Sequence, residues 1–263
     1  METLQIEEDE GVRIVRLNRP PMNPVNRQMI SDLSEAFADI VDNRNVRVVV
    51  VSAVGDRAFC AGIDLKERHA ERTAGRPGDE ALANLLDSGK AWREASLAIH
   101  NCPVPVVAAV DGPAIGAGLG IAGAADIIYA SRRAKFGLTE INVGVLGGSR
   151  KAIQMLGPYK GRMMFFTGEL ISAEEFYRRG VLEELVEDGT AEAHALEMAG
   201  LLAKKSPIGL RLAKESLLRT EYMDPDKGYR VEQDYTSRLR QFNDSGEAMA
   251  AYLERRDPVW TWS

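Results

Sequence analysis

Residues 105–126 read Pro-Val-Val-Ala-Ala-Val-Asp-Gly-Pro-Ala-Ile-Gly-Ala-Gly-Leu-Gly-Ile-Ala-Gly-Ala-Ala-Asp. The apolar run 106–110 has the length of a buried strand. A turn follows at Asp111-Gly112-Pro113. Gly116, Gly118 and Gly120 then lead at alternate positions into a small-residue helix reaching Ala125. A strand that empties through glycines into a helix leaves backbone N–H groups without partners. Those donors, backed by the positive end of the helix dipole, suit a negative oxygen. The glycines let that oxygen's carrier approach the backbone closely.

A second stretch, Phe59-Cys60-Ala61-Gly62-Ile63-Asp64-Leu65, is equally small and also follows an apolar run. Two backbone donors converging on one carbonyl oxygen would stabilise a thioester enolate or a tetrahedral oxyanion. Taken singly, each stretch also reads as an ordinary turn. A dinucleotide fingerprint fits poorly. Five residues separate Val110 from Gly116, and Ser131, Arg132 and Arg133 stand where an acidic residue about 20 positions on would bind a ribose.

The elements that must position these turns read as an α/β fold. Residues 4–8 and 12–17 alternate around Glu10-Gly11 as a hairpin. From Asn26, an apolar stripe through Met29, Ile30, Leu33, Phe37, Ile40 and Val41 predicts a helix. Residues 46–53 form a nearly continuous β-branched run, a strand covered on both faces in a largely parallel sheet. Residues 54–78, with Gly55, Gly62, Gly75, Pro77 and Gly78 among many charges, read as a loop, a mobile helix or a lid. A helix over 79–101 would carry Leu82, Leu85, Leu86, Trp92 and Leu97 on one side. Residues 126–130 and 134–136 are further strands. From about residue 147 helices dominate: one opened by a capping box at Ser172–Glu175, then 191–204, 207–219, 227–241, and a last one capped by Asp244 and Glu247 and ending near Arg256.

The chain has 263 residues, 45% hydrophobic and 27% charged, the composition of a globular protein. Its net charge of −6 argues against general nucleic-acid binding. No apolar run approaches the ~18 residues of a membrane helix. Two cysteines, an acidic N-terminus and no secretory pattern point to the cytoplasm. His69, His100 and His194 have no metal-ligand spacing, so no metal site is expected.

Taken in order, Leu17-Asn18-Arg19-Pro20, then residues 58–66, then Asp111-Gly112-Pro113-Ala114-Ile115-Gly116-Ala117-Gly118, then Asp126-Ile127-Ile128-Tyr129-Ala130, then Phe136-Gly137-Leu138-Thr139-Glu140, with Tyr252-Leu253-Glu254-Arg255-Arg256 near the end, resemble the enoyl-CoA hydratase/isomerase (crotonase) superfamily. The resemblance covers almost the whole chain. It implies a spiral of ββα turns carrying an acyl-CoA site, residues 1–200, and a C-terminal helical trimerisation region, residues 201–263. It implies an acyl-CoA thioester substrate, no tightly bound cofactor beyond the substrate's own coenzyme A, and a homotrimer or dimer of trimers.

The resemblance further places the oxyanion donors at the backbone N–H groups of Ile63 and Ala117. It makes Glu140 one of the family's two glutamates. The other falls on Gly120, which has no side chain. One carboxylate could serve water addition in turn as base and acid, or carry a proton between carbons in an isomerase. The space at Gly120 could equally admit a bulkier, cyclic acyl group. Hydration of an enoyl-CoA is the leading expectation. Isomerisation, C–C hydrolysis by retro-Claisen ring opening, and a non-catalytic acyl-CoA-binding subunit are the alternatives.

Ala61, Asp64, Gly116 and Gly120 are expected to line the substrate. Lys66 and Arg255 are candidate phosphate contacts and Tyr252 a candidate adenine-stacking residue, each of which also reads as an ordinary surface side chain. Asp64 is expected to bond local backbone. Cys60 reads as a small buried residue, Asp126 as the partner of a buried group, and Trp92 as either an acyl-pocket wall or core filling.

Overall fold

The computed structural model describes residues 1–73, 87 and 89–263. Leu82, Leu85 and Leu86, and the loop residues Gly75, Pro77 and Gly78, lie outside the described residues. So does most of the 79–89 part of the helix expected over 79–101, of which Lys90–His100 is described.

Strands β1 (Leu4–Asp9) and β2 (Val12–Leu17) form the expected antiparallel hairpin. Glu10 and Gly11 both have positive φ, 44° and 86°, the turn chemistry whose twist matches the flanking strands. Helix α1 (Arg27–Ala38) opens where Asn26 accepts a 2.9 Å hydrogen bond from the Met29 N–H. Strand β3 (Val48–Ala53) runs parallel to β2. Helices α2 (Leu65–Thr73) and α3 (Lys90–His100) precede β4 (Val106–Val110), which pairs in parallel with β3. After β5 (Ala114–Ile115), the short helix α4 (Ala117–Ala122) and β6 (Ile127–Ser131), the chain makes β7 (Lys135–Gly137) and a 3₁₀ turn at Glu140–Val143. The remainder is α5 (Ser149–Thr167), β8 (Ile171–Ser172), α6 (Ala173–Arg178), β9 (Glu184–Val186), α7 (Ala191–Ala203), α8 (Pro207–Thr220), α9 (Pro225–Leu239) and α10 (Asn243–Glu254).

The main sheet has the order β1-β2-β3-β4-β6-β9, parallel except for β1. The valine run of β3 explains its two covered faces. Val49 and Val51 pack with Met29 and Leu33 of α1 and Ala95 and Ile99 of α3. Val48 and Val50 pack on the other face against Ala191, Ala195, Ala199 and Ala203 of α7. Alanine every fourth residue presents a smooth stripe, so α7 approaches the sheet closely. Arg16 and Ser52 of the sheet both hold Glu192, at 2.6 and 2.5 Å.

A second, three-stranded sheet, β5-β7-β8, sits beside the first. Phe136 of β7 stacks on Phe176 of α6 with centroids 4.2 Å apart. The C-terminal helices are tied to the core by Lys214, almost fully buried, which donates to Asp126 at 2.7 Å and to the Val104 carbonyl at 3.0 Å. This is the buried partner expected for Asp126.

Several expectations are corrected. The central helix stops at Ala122, with Gly123 as its C-cap, rather than reaching Ala125. Helix α5 was not legible: Gly157, at φ 75°, and Pro158 kink it, and its apolar period breaks there. At Ser172 the cap forms, its hydroxyl accepting from the Glu175 N–H, but the Glu175 carboxylate turns to Arg178 and Arg179 instead of reaching back. Asp244 caps no helix. It is fully buried and accepts from the N–H groups of Thr261 and Trp262 and the Thr261 hydroxyl, which locks the terminal strap. Helix α10 therefore starts without a side-chain cap and ends at Glu254, where Arg255 turns left-handed at φ 56°.

Candidate active site

Three backbone segments are laced side by side. Cys60 donates to the Pro113 carbonyl at 3.1 Å, and Ile115 donates to the Cys60 carbonyl at 2.9 Å. Gly116 donates to the Gly137 carbonyl at 2.9 Å. These bonds fix the Ile63 turn, the start of α4 and the end of β7 against one another, and Glu140 stands three residues beyond Gly137.

The lacing leaves two N–H groups over. Val25 donates to the Gly62 carbonyl and accepts from the Asp64 N–H, both at 2.8 Å. In such a parallel bridge the middle residue, Ile63, directs its own N–H away from the partner strand. Ala117 is the first residue of α4, so its N–H has no carbonyl one turn back. Among the described residues neither N–H donates to a protein acceptor. The two turns are close: a Cβ built on Gly62 would lie 4.0 Å from the Ala117 nitrogen, and one built on Gly116 would lie 3.6 Å from the Gly62 Cα.

Glycine at 116 and 118 is required by this geometry. Gly116 has φ 56° and ψ −113°, a conformation for which a side chain is strained. A Cβ on Gly118 would stand 2.3 Å from the Cys60 carbonyl oxygen.

Glu140 reaches the same place. Its Oε1 lies 2.8 Å from the Cβ position of Gly116 and 3.9 Å from that of Gly147. Its Oε2 is buried and has no hydrogen-bond partner among the described residues. Burial pushes the carboxyl above the ordinary glutamate value, and a hydrogen bond from its own backbone N–H offsets part of this rise. Such a group sits closer to the point of gaining and losing a proton at working pH.

Gly120 lies one turn along α4 from Gly116, whose carbonyl it bonds at 3.0 Å. A Cβ there would meet Trp92 Cζ2 at 3.3 Å. Ala61 donates to the Met22 carbonyl at 2.9 Å at the edge of the first turn. Asp64 caps α2, accepting from the Lys66 and Glu67 N–H groups at 3.1 and 3.2 Å and from Arg19 at 3.1 Å. Its charge is thus spent locally, as expected, and its pKa is lowered. Burial pushes the Cys60 thiol up to about 12, which removes it as a nucleophile.

The structure brings Ala61, Ile63, Gly116, Ala117, Gly120 and Glu140 together. Lys66 extends from the exposed first turn of α2, adjacent to the site. Tyr252 lies on α10 and Arg255 follows its last residue, both exposed, with no hydrogen bond or ion pair to the site segments among the described residues. The contact between Trp92 and Gly120 joins positions 28 apart in the chain. The apolar residue type at 92 was the only hint of it in the sequence.

The enoyl-CoA hydratase/isomerase family model matches residues 7–262. The chain is 31% identical to a (7aS)-7a-methyl-1,5-dioxo-2,3,5,6,7,7a-hexahydro-1H-indene-carboxyl-CoA hydrolase of Rhodococcus jostii, over 95% of this chain and 93% of that protein. It is also 31% identical to a probable mitochondrial enoyl-CoA hydratase 2 of Arabidopsis thaliana, over 96% of this chain and 82% of that one. The crystal structure of an enoyl-CoA hydratase from Bacillus anthracis superposes with a TM-score of 0.89 at 28% identity, covering 99% of this chain and all of that one. A full-length match in sequence and in fold carries one conclusion: the chain belongs to the enoyl-CoA hydratase/isomerase, or crotonase, family.

Proposed function

We propose that the protein adds water across the double bond of a 2-enoyl-CoA, with Glu140 as its one acid–base carboxylate. The observation that carries this reading is the Glu140 carboxyl, half-buried, raised in pKa and set beside two unpartnered backbone donors. Ionised Glu140 takes a proton from water as the oxygen bonds to C3. The C2–C3 electron pair moves toward the thioester oxygen, where the Ile63 and Ala117 N–H groups meet the growing charge. Glu140 then returns its proton to C2. Water is consumed, a 3-hydroxyacyl-CoA forms, and the carboxylate is regenerated.

A second reading is favoured by Gly120. With no carboxylate on α4, the same donors and Glu140 would suit water attack on a β-ketoacyl thioester, with C–C cleavage to an enolate and a new carboxyl group. The hydrolase relative supports this alternative. Isomerisation needs only proton transfer by Glu140 between two carbons.

Lys66 and Arg255 are proposed to meet coenzyme A phosphates, and Tyr252 its adenine. Exposed Phe166, Leu217, Met249 and Leu253 support assembly into a homotrimer or a dimer of trimers. Two free, buried cysteines suit a reducing compartment such as the cytoplasm.

The test is a panel of linear and cyclic enoyl- and β-ketoacyl-CoA thioesters followed by mass. Hydration adds one water and leaves no new carboxyl group. Ring opening adds one water and creates a carboxyl that can be esterified. Isomerisation leaves the mass unchanged and shifts the double bond. A protein inert toward every thioester would refute the reading.

A further inference from the structure

Glu140 owes its place to the backbone that carries it. Among the described residues its Oε2 has no hydrogen-bond partner, and its carboxyl receives a hydrogen bond from its own N–H alone. The chain leaves β7 at Gly137, whose carbonyl is tied to Gly116, and comes back past Glu140 as Gly147 and Gly148, just before α5. The Val145 N–H donates to the Glu140 carbonyl at 3.0 Å and closes the middle of this loop. Residues 141–144 and 146–148 are exposed, so solvent covers most of it.

One buried side chain closes the base of the loop. Leu138 is fully buried in the core. Its Cδ2 lies 2.6 Å from the Cβ position of Gly148, with Cδ1 and Cγ at 3.4 and 3.6 Å. Leu138 thus rests on the bare Cα of Gly148, an approach that only glycine permits. Both partners are close to the carboxylate along the chain. Leu138 stands two residues before Glu140. Gly147, next to Gly148, has its Cβ position 3.9 Å from Glu140 Oε1.

The other end of α5 meets the same loop. Asn142 Nδ2 lies 2.6 Å from the Cβ position of Gly168, the C-cap of α5. A straight helix would hold its two caps about 30 Å apart, so the kink at Gly157 folds α5 back onto the loop. The two contacts differ in kind. Asn142 is exposed and can turn aside, whereas Leu138 is enclosed.

We propose that Leu138 is a positioning residue for Glu140: seated on Gly148, it closes the loop that carries the carboxylate and sets how far Glu140 stands from Gly116. This rests on Glu140 being the acid–base group of the acyl-CoA reading and adds the residue that places it.

The test pairs steady-state turnover with a carboxyl ¹³C NMR titration, in which the Glu140 resonance is assigned by its loss in Glu140→Gln. Gly148→Ala puts a methyl against Leu138 Cδ2, so one of the two must give by about 0.8 Å to reach ordinary contact. Either movement passes to Glu140. The kcat should fall by about 10-fold or more with little change in KM. Glu140 should titrate closer to the ordinary glutamate range as the displaced carboxyl meets water. Leu138→Val removes the atoms that clash. Combined with Gly148→Ala, it should restore most of the rate and of the titration, while the Tm loss from φ 75° at residue 148 remains. Gly168→Ala is the control, with a similar φ of 66° and an exposed neighbour, and should lose Tm and keep its rate. Leu138→Ala removes the contact without a clash, so it should show the same two losses and replaces Gly148→Ala if that protein does not fold. A wild-type Glu140 titration in the folded variants, no recovery in the double variant, or an equal rate loss in Gly168→Ala would overturn the proposal. If no thioester is turned over, the acyl-CoA reading falls by itself and the titration alone decides whether Leu138 places Glu140.

Discussion

Gly116→Ala tests the site through a single methyl group. Two effects follow from the structure. First, φ 56° with ψ −113° is a conformation that an L side chain resists, and such strain costs about 2 kcal/mol. For a chain of this size that lowers Tm by about 4–8 °C. Second, the new methyl would stand 2.8 Å from Glu140 Oε1, so the carboxylate must retreat by about 0.6 Å to reach ordinary contact. Misplacing a reacting group by about 1 Å can cost about 10²-fold in rate, so kcat should fall by about 10- to 10²-fold. Gly180→Ala is the control. Gly180 has a similar φ, 71°, with nothing from the described residues packed within 4 Å of its Cβ position, so it should lose stability and keep its rate. The assay is steady-state turnover of the best thioester beside a thermal melt. A folded Gly116→Ala protein working at the wild-type rate would refute the placement of Glu140, as would an equal rate loss in Gly180→Ala.

Glu140→Gln should retain fold and thioester affinity and lose about 10²–10⁴-fold in turnover. Because burial raises the Glu140 pKa, the folded protein binds more protons than the unfolded chain between the ordinary glutamate value and the raised one. Stability from this group is therefore lost as pH rises through that window. Melts across pH should show Glu140→Gln more stable than wild type above the window, with the difference closing below it. In the wild type, the rising limb of the kcat/KM profile should lie above the ordinary glutamate range. Lys214→Met should destabilise the protein by about 3 kcal/mol in denaturant titration, near the lower end for a buried pair because Asp126 is 32% exposed. A change below 1 kcal/mol would show that α8 is not tied to the core there. Lys66→Ala and Arg255→Ala should weaken binding of coenzyme A thioesters more than of the same acyl group on pantetheine, and equal effects would return both residues to the solvated surface.

The parts of this molecule that sequence reading reached are those set by local pattern. The valines of β3 announce a strand covered on both faces, because no polar residue interrupts 48–51. The glycines at 116 and 118 announce a close backbone approach, and the Cys60 carbonyl supplies it. Asp64 reads as a local cap and is one. What escaped was long-range or interrupted. Helix α5 is broken in pattern by Gly157-Pro158. Asp244 has the residue type of a cap, but its carboxylate is claimed by Thr261 and Trp262, 17 and 18 residues on. The meeting of Trp92 with Gly120 depends on how α3 packs over α4, and no local spacing encodes it.

In the proposed reaction a thioester carbonyl lies between the Ile63 and Ala117 N–H groups. Isotope-edited infrared difference spectroscopy of a bound acyl-CoA labelled with ¹³C at the thioester carbonyl reads this directly. Two hydrogen bonds weaken the C=O bond, so the band should shift to lower frequency on binding. The shift should persist in Glu140→Gln, which leaves both donors in place, and shrink in a folded Ala117→Pro protein, which lacks one. A bound carbonyl that absorbs at the frequency of the free thioester in water, or a shift unchanged by Ala117→Pro, would contradict the account.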